Sequence, residues 1–131
     1  MKEMIKLLIG GLATALSAFL GGFDGVIYTL IGFMTIDYLT GVAAAAKNKS
    51  LSSEVGFWGL VKKVCMIALV GVAHLVDVSV VGSGSPLRTC VSLYFIGNEG
   101  LSLIENMARL GVPIPKKLKD LLAQLKEDSD K

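Results

Sequence analysis

Four mostly apolar stretches, separated by short polar connections, cover most of the chain. They predict helices at about residues 4–23, 25–46, 53–82 and 86–110. Each reaches the roughly 20 residues that an α-helix needs to cross the hydrocarbon core of a bilayer. None alternates with the period of two that marks the strands of a membrane barrel, and only helices and closed barrels pair all their backbone polar groups in lipid. The pattern therefore predicts an all-α fold, a small polytopic membrane protein with three to four transmembrane helices.

The fourth stretch is the least apolar of the four. Its polar side chains share one arc of about 120° on a helical wheel, and they are Asn98, Glu99, Ser102, Glu105 and Asn106. A strip of this kind leaves two arrangements open, because the stretch either spans the membrane or lies in its interface.

The chain becomes more polar and basic after the fourth stretch. Gly111 and two nearby prolines interrupt the helix, and a stripe of leucines then follows at helical spacing: Leu118, Leu121, Leu122 and Leu125. We interpret residues 113–131 as a short, basic, amphipathic C-terminal helix on the cytoplasmic side, after a transmembrane helical domain formed by residues 1–112. This tail either lies on the inner leaflet or pairs with its copy in a neighbouring subunit.

Basic residues are distributed unevenly between the two sides of the predicted bundle. Of the 13 Lys and Arg residues, all except Arg88 lie near the start of the first stretch, between the apolar parts of the second and third, or after the fourth. Short loops rich in Lys and Arg stay cytoplasmic, so we expect a multi-pass protein with both termini in the cytoplasm. With 53% hydrophobic and 18% charged residues, the chain is too apolar for an ordinary soluble domain. It carries no module for nucleic-acid recognition.

Small residues follow one face of the first predicted helix. They are Gly10, Thr14, Ala18 and Gly21, and Gly41 is a further small residue in the second helix. Such ridges let helix backbones approach closely in lipid. The ridge predicts either packing within one subunit or contact between subunits.

Aromatic and basic residues occur together before the apolar part of the third helix. Phe57 and Trp58 precede Lys62 and Lys63, a combination typical of the headgroup boundary. We predict that these four side chains anchor the third helix at the membrane interface.

Ionisable side chains inside the apolar stretches are the candidates for function, because a charge at membrane depth is costly and usually faces a bundle interior or water. With the polar arc of the fourth stretch they form the predicted pore-lining or intersubunit polar set: Asp37, His74, Asp77, Asn98, Glu99, Ser102, Glu105 and Asn106. The alternative is pairing within one bundle, for example of His74 with Asp77 or of Asp77 with Arg88.

Residue patterns for catalysis are weak in this sequence. The single histidine and the scattered carboxylates do not match a metal-ligand spacing such as H-E-x-x-H. No serine lies in G-x-S-x-G, and no glycine-rich loop matches a phosphate cradle. We therefore expect no enzymatic activity, no metal and no cofactor.

Several blocks of the sequence resemble one known family. They are Asp37–Gly41, Lys47–Ser53, Gly59–Lys63, Tyr94–Asn106 and Gly111–Pro115. Together they resemble the toxin-secretion/phage-lysis holin family, and Asn98–Ser102 is their most specific part. The resemblance implies a small phage-encoded protein that accumulates in the inner membrane of a bacterial host, self-associates, and opens lesions that release a cell-wall hydrolase. The resemblance thus implies three partners: the lipid bilayer, other copies of the same chain, and the released cargo. The cargo is either an endolysin or a large toxin.

Two other classes of function stay open at this point. A small ion-coupled channel or transporter would use Asp37 and Glu99 as proton or cation sites. A structural membrane subunit would instead bind a partner through the leucine stripe of the tail. Met1 and Met4 also resemble the paired starts from which some holins make a longer inhibitory form.

The expected topology makes a labelling prediction. In a chain whose Cys65 and Cys90 are replaced by alanine, a cysteine at Ser83 should react with a membrane-impermeant thiol reagent on intact cells before lysis. A cysteine at Ser50 should not, because the basic loop that contains it stays inside. Reaction at position 50 without reaction at position 83 would overturn the predicted orientation.

Overall fold

Five helices account for most of residues 1–130, the part of the chain that the computed structural model describes. They are α1 (Lys2–Leu20), α2 (Gly25–Lys47), α3 (Ser53–Val76), α4 (Pro86–Arg109) and α5 (Lys116–Asp130). The segment Asp77–Val81 extends α3 by one turn with π-helical geometry. Over these residues the structure confirms the predicted all-α fold.

Local sequence signals explain where the helices begin and end. Gly21 adopts the left-handed conformation (φ 82°) that ends α1, and the side chain of Asp24 caps α2 by accepting a hydrogen bond from the amide of Ile27 at 3.1 Å. Ser52 caps α3 in the same way, as side-chain oxygens do at helix N-termini. Pro86 occupies the first turn of α4, where its missing N–H has no helical partner to lose.

Three segments are long and apolar enough to cross a membrane. Within residues 1–130 these are α1, α2 and Ser53–Val81, and α4 does not meet the criterion. Yet α4 runs alongside the bundle from end to end. Arg88, near its start, binds Asp24 at the start of α2, and Asn106, near its end, binds Thr40 in the second half of α2. The least apolar helix therefore covers much of the same depth as an apolar one.

The core forms where α4 contacts the apolar helices. Its largest cluster combines side chains of α1, α2, α3 and α4: Leu20, Ile27, Leu30, Met34, Met66, Val70, Phe95 and Ile96. Many residues of α4 are buried, whereas α1 buries only Leu20. Burial inside protein lets α4 satisfy its polar side chains without exposing them to lipid.

Helix α1 contacts the bundle near its C-terminal end. The ring of Phe19 lies over Gly71 of α3 so closely that a Cβ atom at Gly71 would fall 1.9 Å from it. Gly10, Thr14 and Ala18 are exposed, and a Cβ atom at Gly10 would meet no atom within 4 Å. The predicted small-residue ridge therefore has little packing within its own chain.

Helix α5 folds back against α4. Leu122 is buried with Leu103 and Ile104 of α4, and Gly97 and Gly100 of α4 leave the space that α5 fills. The amphipathic helix predicted from the leucine stripe is present, but part of its stripe packs against the same chain. This arrangement differs from the two expected for the tail, because a leucine stripe does not specify which surface it covers.

The contact between α1 and α3 predicts a difference between two glycines of α3. Gly71→Ala should lower the midpoint of thermal unfolding in detergent, because the added methyl overlaps the Phe19 ring and overpacking typically costs about 1–3 kcal/mol. Gly59→Ala is the matched control, since a Cβ atom there meets nothing within 4 Å, and it should leave the midpoint unchanged or raise it. Equal midpoints for the two variants, measured by circular dichroism, would contradict the packing described.

Candidate functional site

A lysine joins two carboxylates in the interior of the bundle. The ammonium group of Lys63 on α3 lies 2.6 Å from the nearer carboxylate oxygen of Asp37 on α2. It also forms an ion pair with Glu99 on α4. The exposed fractions of the Lys63, Asp37 and Glu99 side chains are 13%, 11% and 4%. We call these three residues the ion triad, and each comes from a different helix.

Asn106 extends the ion triad by about two turns along α4. Its side-chain amide donates to the carboxylate of Asp37 at 3.0 Å and to the backbone carbonyl of Asp37 at 3.1 Å. It also lies 3.2 Å from the hydroxyl of Thr40. Gly41 lies beside this amide, and a Cβ atom there would be in ordinary contact with the Asn106 nitrogen, at 3.5 Å.

A polar cavity of about 320 Å³ borders the ion triad. Its walls come from α2, α3 and α4 and include Asn98, Ser102 and Lys62, and it extends to the loop residues Ser50 and Ser52. These groups offer hydrogen-bond donors and acceptors beside the ion pairs, so the cavity is suited to water.

The ion triad is sensitive to the loss of one member. With all three groups ionised, two carboxylates face one ammonium, so removal of Lys63 leaves two like charges side by side. Breaking a buried pair by removing one partner typically costs about 3–5 kcal/mol, because an uncompensated charge stays buried. Lys63 thus holds α2, α3 and α4 together at this level.

A second polar cluster joins the helix ends on the opposite side of the bundle. The guanidinium of Arg88 donates to both carboxylate oxygens of Asp24, at 2.9 and 3.3 Å, and to the carbonyls of Leu20 and Gly22. The hydrogen bond from Arg88, followed by that from the amide of Ile27, lowers the pKa of Asp24 below its ordinary value. The one basic residue that departs from the charge asymmetry is therefore neutralised within the chain.

The pairings suggested for Asp77 take a different form in the structure. Its carboxylate accepts hydrogen bonds from the backbone amides of Leu87 and Arg88, at 3.0 and 2.8 Å, and so caps the first turn of α4. The Arg88 side chain binds Asp24 instead. His74 lies beside Gly21, where a Cβ atom would fall 2.6 Å from its Nδ1 atom.

The predicted polar set therefore divides between two places. The cavity brings together one group, which is Asp37, Asn98, Glu99, Ser102 and Asn106. His74 and Asp77 lie near the other end of the bundle, beside the Arg88 cluster. Glu105 is exposed on α4. Their role in lining a pore or joining subunits stays a prediction.

The four predicted interface anchors also divide. Phe57 and Trp58 are exposed and their rings pack edge to face, with centroids 5.5 Å apart, and Lys62 is exposed. Lys63 instead points into the bundle. The helical register accounts for this, since Lys63 lies about 20° around α3 from the buried Val70, whereas Lys62 lies about 80° from it.

Comparison with known proteins adds the family. The sequence profile of the bacteriophage holin family matches residues 14–127, which include the ion triad, its cavity and most of α5. The chain belongs to the bacteriophage holin family. This holin is thus a helical membrane protein, as the resemblance implied.

Individual relatives support the assignment. A "Probable holin" of Bacillus phage phi105 is 38% identical over 95 residues, which cover 72% of this holin and 70% of the phage protein. An uncharacterised 14.9 kDa protein of Clostridium perfringens is 40% identical over 121 residues, 92% of each chain. An uncharacterised protein of Listeria monocytogenes is 32% identical over 135 residues, covering 100% of this holin and 96% of the relative. No solved structure matches the chain.

The two adjacent lysines of α3 provide a direct test of the ion triad. Lys63→Ala should lower the free energy of unfolding in detergent by about 3–5 kcal/mol, because Asp37 and Glu99 lose their shared cation. Lys62→Ala removes the same charge from an exposed position and should change it by no more than about 0.5 kcal/mol. Chemical denaturation of both variants measures the difference, and equal losses would show that Lys63 does not stabilise the bundle.

Proposed function

We propose that this holin self-associates in the inner membrane of a bacterial host and opens lesions large enough for a folded endolysin to leave the cytoplasm. A large toxin is the alternative cargo. The observation that carries the proposal is the polar face of α4, which the ion triad and Asn106 hold against α2 and α3.

The polar face of α4 gives the lesion a surface that water can wet. In the single chain, Glu99 forms an ion pair with Lys63 and Asn106 donates a hydrogen bond to Asp37. These polar groups therefore have their partners inside the protein. When helices move apart, the same groups need water, because unpaired polar groups are costly in an apolar environment. Asn98, Ser102 and Glu105 extend the face that a hydrated opening would use.

The small-residue ridge of α1 supports self-association. Gly10, Thr14 and Ala18 are exposed along most of its length, and small residues permit close approach of a second helix in lipid. The large apolar side chains around them, among them Leu7 and Leu12, are exposed as well. This helix therefore offers both a lipid-facing surface and a contact for another copy, and no catalytic group or cofactor is needed.

The two polar clusters support the expected orientation. Arg88 is neutralised by Asp24 at one end, while exposed lysines lie toward the other, such as Lys47 at the end of α2 and Lys49 in the loop that follows. With that end inside, both termini are cytoplasmic and residues 113–131 follow the transmembrane domain 1–112 on the cytoplasmic side.

A narrow ion-coupled channel or transporter is the second candidate function. The ion triad favours it, because two carboxylates and a lysine beside a polar cavity could exchange protons or cations. Such a protein would pass ions and retain a folded hydrolase. The size of the molecules that leave the cell therefore distinguishes a lesion from a narrow channel.

Induced expression beside a cytoplasmic endolysin that lacks an export signal tests the proposal. Culture density and release of a cytoplasmic reporter should change abruptly with the native holin. Glu99→Leu should still insert but delay or abolish lysis, because the polar face loses its buried carboxylate. Glu54→Leu, at an exposed position at the start of α3, is the matched control and should lyse normally.

Two results would contradict the proposal. Ion leakage with the endolysin retained inside would favour the narrow channel. An unchanged permeability, with the protein present in the membrane, would leave only a structural role. Asp37→Asn further separates a need for charge from a need for hydrogen bonding on α2.

A further inference from the structure

Two glycines of α4 lie against α5, Gly97 against its backbone and Gly100 against the side chain of Leu122. A Cβ atom at Gly97 would fall 2.8 Å from the amide nitrogen of Lys126 and 2.9 Å from the carbonyl oxygen of Leu122. At Gly100 a Cβ atom would lie 2.9 Å from the methyl groups of Leu122. We call this surface of α4, formed around Gly97 and Gly100, the glycine face.

The glycine face lies halfway along the bundle. Gly97 comes 11 residues after Pro86, where α4 begins, and this places it about 17 Å along a helix of about 36 Å at 1.5 Å per residue. Glu99 of the ion triad belongs to the next half-turn. In the proposed topology α4 runs from one membrane surface to the other, so the C-terminal part of α5 lies level with the middle of the membrane, on a side that is open to the cytoplasm.

Charge prevents lipid from surrounding α5 at that depth. Within Lys116–Asp128 the helix carries seven charged residues, which are Lys116, Lys117, Lys119, Asp120, Lys126, Glu127 and Asp128. A charged residue at the centre of a membrane helix costs about 2.5–3.5 kcal/mol on insertion scales. Glu127 and Asp128, which follow the contact of Lys126 with Gly97, are exposed, so this end of α5 must face water, while Leu118 and Leu121 are exposed nearer the start of the helix.

The lipid-facing surface lies on other helices. Exposed large apolar residues are frequent on α1, α2 and α3, for example Leu7, Leu39 and Val64. Helix α5 packs chiefly against α4, and α1 packs chiefly against α3. The bundle therefore has an apolar surface for lipid and a separate, charged surface over α4.

We propose that α5 is an intramolecular plug, which lies in an aqueous vestibule on the α4 side of the assembled holin and covers the glycine face until the lesion opens. This inference rests on the proposed lesion-forming function and adds a regulatory element to it. Undocking of α5 exposes the glycine face, together with Leu103 and Ile104 beside it, to the opening.

The contacts of α5 are suited to release. Its buried anchor is Leu122, packed with Leu103 and Ile104, and the ammonium of Lys126 lies 5.9 Å from the centroid of the Tyr94 ring. The connection from α4 turns at Gly111, whose φ of 95° favours glycine. Leu122 and the partly buried Leu125 hold α5 through apolar contacts, while the ion triad joins α2, α3 and α4, so α5 can leave without disturbing it.

A single methyl group tests the plug in cells. Gly97→Ala places its methyl against the backbone of α5, which cannot yield as a flexible side chain would, and should shift the docked-to-undocked ratio by about 5- to 30-fold. Lysis should then begin earlier than with the native holin at equal expression. Gly32→Ala, where a Cβ atom meets nothing within 4 Å, is the matched control and should keep the native timing. Native timing or a delay with Gly97→Ala, in protein that still inserts, would overturn the proposal.

A reversible crosslink tests the same contact without cells. Gly100→Cys and Leu122→Cys are combined with Cys65→Ala and Cys90→Ala, and the purified protein is placed in vesicles that contain a folded fluorescent protein. Oxidation should form the intrachain disulfide and abolish release of the fluorescent protein, and a reductant should restore it. Each single-cysteine chain should release the protein under both conditions.

The outcomes of the crosslink distinguish the plug from the lesion. Absence of the intrachain disulfide overturns the docking of α5 whatever the permeability. Equal release from the oxidised and reduced protein overturns the plug and leaves the lesion intact. A reduced protein that releases nothing, while the native chain also releases nothing, overturns the lesion and the plug together.

Discussion

The attraction between Lys63 and the two carboxylates of Asp37 and Glu99 is the interaction on which the arrangement of the bundle depends. It connects α2, α3 and α4 at one level and makes it acceptable to bury a helix that is too polar for lipid. Without this cation, the interior would hold two like charges at short range. The apolar contacts around Leu30 and Val70 add stability, but they do not determine which face of α4 turns inward.

Pairing of polar groups also explains why the least apolar of the long helices is the most buried one. Helix α1 is apolar and almost wholly exposed, whereas α4 is the least apolar of the four long helices and is extensively buried. In water this order would be unfavourable. In a membrane the solvent is apolar, so apolar side chains tolerate exposure while polar side chains need protein partners.

The sequence predicts some levels of this structure better than others. Helices α1 to α4 follow from segment length and hydrophobicity, and Asp37 and Glu99 follow from the cost of charge in lipid. The role of Lys63 does not, because its neighbour Lys62 and the aromatic pair before it are typical of an interface, and only the register of α3 distinguishes the two lysines. The contact between α4 and α5 is equally hidden, since Gly97 and Leu122 are distant in sequence and neither specifies its partner. Which two segments pack together depends on both of them, so the residue pattern of one segment cannot predict its partner.

Arg88 has a consequence for the order in which the chain assembles. Its guanidinium contacts Leu20, Gly22 and Asp24, which form the connection between α1 and α2 and leave the ribosome long before α4. These acceptors are therefore synthesised before Arg88 emerges, and the segment that joins α1 to α2 is available as its binding site. Until Arg88 reaches that segment, its guanidinium needs water or another polar partner, because an unpaired charge is costly in an apolar environment. The position of one arginine thus makes the docking of α4 depend on a segment that is synthesised first.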